Sequence, residues 1–269
     1  MSTNSPEMIE KLKNIQLFVL DMDGTIYLGG NPIDGARDFC NKLFENNMLV
    51  YFTNNASRAP EDYVTKLTKL GFPAQRKSIV TSGDVTISYL KKYHGGQSVY
   101  LVGTPELEKS FTENGIVLSK QSNVVVVSFD LTLTYEKLEH ACTLIRNGAT
   151  FYSTHPDINC PTENGFIPDS GAICAAVTLS TGVNPRYFGK PYAETVEMLE
   201  LLSGLSRDKI AMVGDRLYTD IALGKKNNMM SILVMTGETT EQDLQKASKA
   251  EQPDLIFNSI GDIGKIIFD

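Results

Sequence analysis

A short segment near the start of the chain, residues 17–25, places the strongest constraint on the fold. It reads Leu-Phe-Val-Leu-Asp-Met-Asp-Gly-Thr, so four apolar residues run directly into two closely spaced carboxylates. A continuous apolar run of this kind is typical of a strand that is buried on both faces of a parallel sheet. Ligands of such sheets bind beyond the carboxyl ends of the strands. The segment therefore predicts an acidic site at the end of a central strand.

The two acids of this segment, Asp21 and Asp23, also predict what the site binds. Two neighbouring carboxylates are costly in a pocket unless a cation accompanies them, and hard oxygen ligands suit Mg²⁺. Mg²⁺ in proteins is commonly bound together with phosphate groups. The pair therefore indicates a site for a phosphorylated ligand. An acidic turn without chemistry is the alternative, and three further motifs weigh against it.

Apolar, β-rich runs alternate with amphipathic helical patterns along the whole chain. This alternation predicts an α/β fold with a doubly wound, mostly parallel sheet and helices on both faces. A second domain is expected as well, because Thr53 and Lys190 are separated by far more chain than one crossover needs. We expect a discontinuous catalytic core of residues 1–83 and 186–269, and a smaller inserted α/β cap domain at 84–185.

Charge and composition exclude several classes of function. The 269 residues carry a net charge of −7, which argues against sequence-independent binding to nucleic acid or binding to an anionic membrane. No apolar run approaches the roughly 18 residues of a membrane span, and from the polar residues 1–16 we expect no secretory signal. The four cysteines are widely spaced and form no C-x-x-C pair. They predict reduced thiols in a cytoplasmic protein.

Two motifs supply groups that suit a phosphate. A second apolar strand ends in Thr53, Asn54 and Asn55 before a helix, and the hydroxyl, amide and backbone N–H groups of such a turn can bind phosphate oxygens. Later, Lys190 stands between a glycine and a proline just before a helix, where it can neutralise a carboxylate and a phosphate. Taken singly, the first is also compatible with a helix cap and the second with a surface lysine.

A third apolar strand runs into Gly214 and Asp215, and Asp220 follows five residues later. Asp215 is expected to complete the metal site begun by the first motif. Asp220 would lie one turn into the next helix, where it could orient a metal-bound water or Lys190. A helix N-terminal acid that only complements the helix dipole is the alternative for Asp220.

Taken in order, D-M-D-G-T, T-N-N, G-K-P and G-D-R-L-Y-T-D resemble the four motifs of the haloacid dehalogenase (HAD) superfamily. The long gap between the second and third motifs and the stretch 154–161 are similar to the p-nitrophenylphosphatase and NagD-like branch, whose α/β cap is inserted there. The resemblance implies a Mg²⁺-dependent phosphatase that acts on small phosphorylated metabolites, and on p-nitrophenyl phosphate in vitro. It also implies an aspartyl-phosphate intermediate.

The same resemblance implies a role for each motif residue. Asp21 is the nucleophile, and Asp23 is the general acid for the leaving alcohol and then the base for the hydrolytic water. Mg²⁺ is held by the carboxylates of Asp21 and Asp215 and by the backbone carbonyl of Asp23. The phosphate oxygens are bound by Thr53, Asn54 and Lys190.

Some questions stay open at the level of sequence. In the inserted domain, His155 and Asp157 lie in a loop rich in Pro, Asn and Asp, and they either contact the leaving group or hold the loop together. The substrate itself and the oligomeric state, a monomer or a homodimer through the cap, are undetermined. A phosphorylatable signalling receiver or a phosphotransferase has the same residue types, but receivers are shorter and carry their acceptor aspartate on a later strand.

Overall fold

The computed structural model describes residues 4–162 and 165–268. Within this part of the chain, no helix is both long and apolar enough to cross a membrane. The strands are β1 (Leu17–Leu20), β2 (Tyr27–Leu28), β3 (Asn31–Pro32), β4 (Leu49–Thr53), β5 (Ile79–Thr81), β6 (Tyr100–Val102), β7 (Val124–Val127), β8 (Thr150–Ser153), β9 (Asn159–Thr162), β10 (Gly165–Pro168), β11 (Arg186–Tyr187), β12 (Ile210–Gly214), β13 (Met230–Val234) and β14 (Leu255–Phe257). The α-helices are α1 (Pro6–Lys13), α2 (Ala36–Glu45), α3 (Pro60–Lys69), α4 (Ser82–Tyr93), α5 (Pro105–Glu113), α6 (Tyr135–Arg146), α7 (Ser170–Thr181), α8 (Ala193–Ser203), α9 (Ala222–Lys226), α10 (Glu241–Lys246) and α11 (Ile260–Ile267).

One compact unit, residues 4–52, 61–80 and 190–268, is built on a six-stranded sheet in the order β14-β13-β12-β1-β4-β5. The central strands pair in parallel, so that Leu20 of β1 lies opposite Val213 of β12 and Tyr51 of β4. Every residue of β1 and β12 is buried. The continuous apolar runs thus form central parallel strands, and the predicted α/β class is confirmed.

A second compact unit, residues 53–60, 81–162 and 165–189, has a parallel sheet of its own in the order β11-β8-β7-β6. The four valines of β7 are all buried, and its core continues into α6 and α7 through side chains such as Ala141 and Cys174. Strands β9 and β10 form an antiparallel hairpin. The sequence predicts the inserted domain at 84–185. The longer segment of this unit begins at Thr81 and ends at Gly189, and residues 53–60 also belong to the unit.

Local capping accounts for where several helices begin. At the start of α4, the Thr81 N–H donates to Asp84 Oδ2 at 2.8 Å and the Asp84 N–H donates to Thr81 Oγ1 at 3.2 Å. This reciprocal pair is a capping box. Helices α1 and α5 each have proline at their first position, preceded by the capping hydroxyls of Ser5 and Thr104.

Several short elements differ from the sequence-based expectation. The pattern of apolar residues in the sequence does not predict α1, which is polar, or β5, which has only three residues. It predicts a loop in the region where β9 and β10 lie. The helix predicted to follow Asp215 begins instead as a π-helical turn, Leu217–Ile221, and becomes α-helical in α9. In that wider turn the N–H groups of Asp220 and Ile221 both donate to the carbonyl of Arg216.

Candidate active site

Two neighbouring strands bring the predicted acids to one edge of the sheet. Asp21 follows β1 and Asp215 follows β12, and the Asp21 N–H extends the ladder by donating to the Val213 carbonyl at 2.9 Å. Each of Asp21, Asp215 and Asp220 offers a carboxylate oxygen within 4.8 Å of the others. The structure therefore brings together three of the acids that the sequence motifs singled out.

Lys190 lies between two of these acids. Its Nζ is 2.5 Å from Asp21 Oδ1 and 2.6 Å from Asp220 Oδ1, and only 3% of its side chain is exposed. Burial alone would lower the pKa of Lys190, but the two carboxylates raise that pKa above its ordinary value. The two carboxylates thus favour the charged form of this lysine inside the site, and it is not the surface lysine of the alternative interpretation.

Asp220 is buried and held from two sides. One oxygen pairs with Lys190, and the other accepts the Arg216 N–H at 3.1 Å. A Cβ added at Gly214 would lie 2.3 Å from Asp220 Cγ, so only glycine leaves room for the carboxyl group there. This position favours the second of the two predicted roles, in which Asp220 orients Lys190.

Asp215 is fixed by a loop that the motif analysis did not include. Its Oδ2 accepts the Glu238 N–H at 2.7 Å, and its Oδ1 accepts the Thr25 hydroxyl at 3.3 Å. A Cβ added at Gly237 would lie 2.0 Å from Asp215 Oδ2, and one at Gly24 would lie 2.5 Å from the same atom. The carboxylate therefore sits in a cradle that two glycines leave open.

The loop that fixes Asp215 is the 236–239 loop, which follows β13. Its threonine side chains also bind backbone carbonyl groups at the site. The Thr236 hydroxyl donates to the Gly24 carbonyl at 2.6 Å, and the Thr239 hydroxyl donates to the Asp215 carbonyl at 2.5 Å. The loop follows a buried parallel strand next to β12, so a polar, glycine-containing turn at the same sheet edge was the signal that could have identified it.

Burial and mutual repulsion make the acid cluster suited to a cation. Burial raises the pKa of Asp21 to about 7, with Lys190 opposing the shift and Asp220 adding to it. Burial and the charge of Asp220 raise the pKa of Asp215 to about 6. Acids that resist ionisation in this way, with their oxygens gathered within 4.8 Å, fit a hard divalent ion such as Mg²⁺.

Asp23 lies apart from the cluster of carboxylates. It is solvent-accessible, and its backbone forms a bridge with Tyr27. Partial burial raises the pKa of its carboxyl group, while the charge of Lys66 and the N–H of Gly29 lower it. A raised pKa suits a general acid, and the predicted metal contact of its carbonyl stays a prediction.

The turn after β4 belongs to the second unit, together with its partners. The Thr53 hydroxyl accepts the Asn55 N–H at 3.1 Å, and the Asn54 amide donates to both oxygens of Asp157 at 3.3 Å. The Ser82 hydroxyl donates to the Asn54 carbonyl at 2.5 Å. Asp157 is thus placed beside a predicted phosphate-binding residue, and the phosphate contacts of Thr53 and Asn54 stay predictions.

His155 is fully buried and surrounded by hydrogen-bonding partners. Its Nε2 is 2.8 Å from Asp169 Oδ1, and its Nδ1 is 2.9 Å from the Thr154 hydroxyl and 3.3 Å from that of Ser82. Burial alone would lower the pKa of His155, but the hydrogen bond and charge of Asp169 raise it. These contacts favour the alternative in which His155 holds its loop together.

Two family models match the chain. One, described as haloacid dehalogenase-like hydrolase, matches residues 18–117, and a second, described as HAD-hydrolase-like, matches residues 187–263. The chain belongs to the haloacid dehalogenase-like hydrolases. The matched stretches contain the acids at the ends of β1 and β12 and the buried lysine, so the resemblance read from the motifs is confirmed.

Relatives place this HAD hydrolase within one branch of the family. An acid sugar phosphatase from Staphylococcus aureus is 41% identical over 238 residues, which are 87% of this chain and 92% of that protein. The crystal structure of a 4-nitrophenylphosphatase from Thermotoga maritima has a TM-score of 0.91 at 44% identity, covering 96% of this chain and 99% of that one. A structure named putative nagD protein has a TM-score of 0.83 at 45% identity, covering 87% and 94%. The chain is thus a HAD-type phosphatase of the p-nitrophenylphosphatase and NagD-like branch.

Replacing Gly237 with alanine tests whether the 236–239 loop holds Asp215. Because the new Cβ would lie 2.0 Å from Asp215 Oδ2, the carboxylate must move. We expect Gly237→Ala to weaken Mn²⁺ binding by about tenfold or more, measured by calorimetry on the metal-stripped HAD hydrolase. Gly30→Ala is the matched control, since nothing lies within 4 Å of its added Cβ. An unchanged Mn²⁺ affinity in a folded Gly237→Ala protein would contradict the role of the loop.

The pH dependence of stability tests the pairing of His155 with Asp169. Because the folded-state pKa lies above the ordinary 6.5, the pair stabilises the HAD hydrolase fully below pH 6.5, and this stabilisation is lost as pH rises through the folded pKa. His155→Ala should therefore lower the free energy of unfolding by about 3 kcal/mol at a pH just below 6.5, and by less near pH 9. Urea unfolding at both pH values measures this, with His140→Ala on α6 as the control. The same loss at both values would mean that His155 contributes packing alone.

Proposed function

We propose that this HAD-type phosphatase hydrolyses small phosphorylated metabolites through a covalent phosphate on Asp21, with Mg²⁺ as cofactor. The observation that carries the proposal is a largely buried Asp21 carboxylate that touches Lys190 and lies within 4.8 Å of two further acids. A buried, paired carboxylate at a strand end has the restricted geometry that a nucleophile needs.

In the proposed reaction, an oxygen of Asp21 attacks phosphorus and the bond from phosphorus to the ester oxygen breaks. Asp23 gives its proton to the departing oxygen, so that an alcohol leaves. The Asp23 carboxylate then takes a proton from a water whose oxygen attacks the phosphorus of the aspartyl-phosphate. The bond between phosphorus and Asp21 breaks, inorganic phosphate leaves, and Asp23 is protonated again for the next cycle.

The chain's own residues account for the charge and orientation in these steps. Lys190 lowers the repulsion between the Asp21 carboxylate and the incoming phosphate. Asp220 holds the ammonium group of Lys190 in place. We assign the remaining phosphate contacts to the hydroxyl of Thr53 and to the backbone N–H and amide side chain of Asn54. These assignments rest on the motif alone.

Mg²⁺ would be held by the carboxylates of Asp21 and Asp215 and by the backbone carbonyl of Asp23. When bound, the ion neutralises negative charge that develops on the phosphoryl oxygens. The raised pKa values of Asp21 and Asp215 support this assignment, since a cation would relieve the cost of ionising both acids.

The range of substrates follows from the relatives and from the second unit. The names of the relatives, acid sugar phosphatase and 4-nitrophenylphosphatase, support sugar phosphates and p-nitrophenyl phosphate as substrates of this chain. We further propose that the inserted segment, predicted at 84–185, acts as a cap that limits the leaving group to small molecules.

The state of the cysteines supports a reducing compartment. Cys40, Cys142 and Cys174 are free thiols, and all three are buried. Burial raises the pKa of the Cys40 thiol to about 12, which makes it unreactive. We therefore keep the cytoplasm as the proposed location.

Substitution of the nucleophile is the direct test of the mechanism. Asp21→Asn removes the attacking charge and one metal ligand with little change in shape. We expect hydrolysis of p-nitrophenyl phosphate to fall by about 10⁴-fold or more. Asp38→Asn, an exposed acid in the first turn of α2, is the matched control and should retain full activity. A purified Asp21→Asn protein with a tenth of the parental turnover would exclude Asp21 as the nucleophile.

Removal of divalent ions tests the cofactor. Dialysis against a chelator should abolish hydrolysis of p-nitrophenyl phosphate, and added Mg²⁺ should restore it. Ca²⁺ should restore activity poorly, because it accepts more ligands at longer distances than the in-line reaction allows. Full activity in excess chelator would refute the metal site at Asp21 and Asp215.

A further inference from the structure

Arg216, the residue directly after Asp215, has no role in the mechanism described so far. Its Nε lies 2.9 Å from Glu238 Oε2, and the Tyr218 hydroxyl donates to Glu238 Oε1 at 2.9 Å. Glu238 is itself fixed, because its backbone N–H is bound to Asp215. The guanidinium therefore forms an ion pair at one edge with the carboxylate of a residue whose backbone N–H is bound to Asp215.

The other edge of the guanidinium remains available. Among residues 4–162 and 165–268, no group accepts a hydrogen bond from the terminal Nη atoms of Arg216, although 79% of its side chain is covered, 21% being exposed. A fixed guanidinium with free terminal N–H groups presents a planar fork that matches a carboxylate or a phosphate. The arrangement is that of an anion-binding group before its ligand arrives.

The charge of Arg216 acts on both acids that carry the proposed chemistry. Burial raises the pKa of Asp21 and of Asp23, and Arg216 is one of the cations that lower each of them. Lys190 is the deeper of the two cations, with 3% of its side chain exposed against 21% for Arg216. In an in-line displacement the leaving group departs on the side opposite to Asp21, toward the acid that protonates it. Arg216 is therefore the more exposed of the two cations whose charge reaches the proposed nucleophile.

We propose that Arg216 binds a second oxyanion, a carboxylate or a further phosphate, on the leaving group of the substrate. The enzyme would then prefer phosphate monoesters whose alcohol carries a carboxylate or a second phosphate over monoesters of uncharged alcohols. This inference rests on the proposed function, since it names the substrate class of the same site. Glu238 acts as a positioning residue, because it aims the guanidinium without touching the substrate.

Matched substrates test this preference. 3-Phosphooxypropanoate and 3-hydroxypropyl phosphate differ in a carboxylate against a hydroxymethyl group, and propane-1,3-diyl bisphosphate carries a second phosphate. We expect the parent enzyme to favour one or both acidic esters by about tenfold or more in kcat/KM, and the better of the two identifies the oxyanion. Arg216→Gln should bring the ratio of kcat/KM for the acidic substrate to kcat/KM for the neutral substrate to about one. Arg216→Lys should restore part of this preference.

Two further variants complete the design. Glu238→Gln keeps the backbone N–H that binds Asp215 but weakens the hold on Arg216, so it should lower the same ratio. Arg207→Gln is the matched control, because Arg207 pairs with Glu200 at 2.8 Å in a comparable arginine–glutamate contact and belongs to none of the four motifs. It should leave the ratio as in the parent. A parent ratio near one, or an equal loss of Arg216→Gln on acidic and neutral esters, would overturn the proposal.

A binding measurement separates this inference from the proposed reaction. By calorimetry, 4-phosphonobutanoate, which cannot be hydrolysed, should bind the parent enzyme about tenfold or more tightly than 4-hydroxybutylphosphonate, and Arg216→Gln should remove the difference. If no ester is hydrolysed but this difference is seen, the proposed function fails and the inference about Arg216 holds. If the esters are hydrolysed without any such difference, the inference fails and the function stands.

Discussion

The buried ammonium of Lys190 is the interaction on which the rest of the site depends. It lies 2.5 Å from Asp21 and 2.6 Å from Asp220, almost out of contact with solvent. Carboxylates packed this closely repel one another, and burial raises the cost of their charge. Without a cation between them at least one would hold a proton, and a protonated Asp21 is a poor nucleophile. The ammonium therefore favours the charged form of the proposed nucleophile against the effect of burial, and it ties the segment before α8 to the edge of the sheet.

Backbone geometry brings these acids together more than side-chain choice does. Strands β1 and β12 are adjacent and parallel, so Asp21 and Asp215 leave the sheet side by side. Two glycines then permit contacts that a Cβ would block, since one added at Gly214 would lie 2.3 Å from Asp220 Cγ and one at Gly237 would lie 2.0 Å from Asp215 Oδ2. Close approach is what requires glycine at both positions. The acid cluster is thus as tight as its backbone allows.

The parts of the fold and site that depend on residue type and periodicity could be predicted from the sequence. Long apolar strands such as β1 and β12 leave a continuous signal, and charged motif residues such as Asp21 and Lys190 are visible because the chemistry needs charge. The 236–239 loop could not be found in this way, because it acts through the N–H of Glu238 and the space at Gly237. The burial of His155 could not be predicted either, since it depends on a carboxylate 14 residues away.

The charge balance of the site links its two proposed ligands. Lys190 is already paired with two acids, and one edge of Arg216 is paired with Glu238. Additional positive charge for a phosphate dianion must therefore come from an ion held by the acid cluster and from the free edge of Arg216. In the proposed mechanism the ion and the phosphate then reduce each other's electrostatic cost. By thermodynamic linkage, the factor by which the metal tightens phosphate binding equals the factor by which phosphate tightens metal binding. In this proposal an empty acid cluster would repel both the substrate and the free phosphate product, so occupancy by the metal would control entry to the reaction as well as its rate.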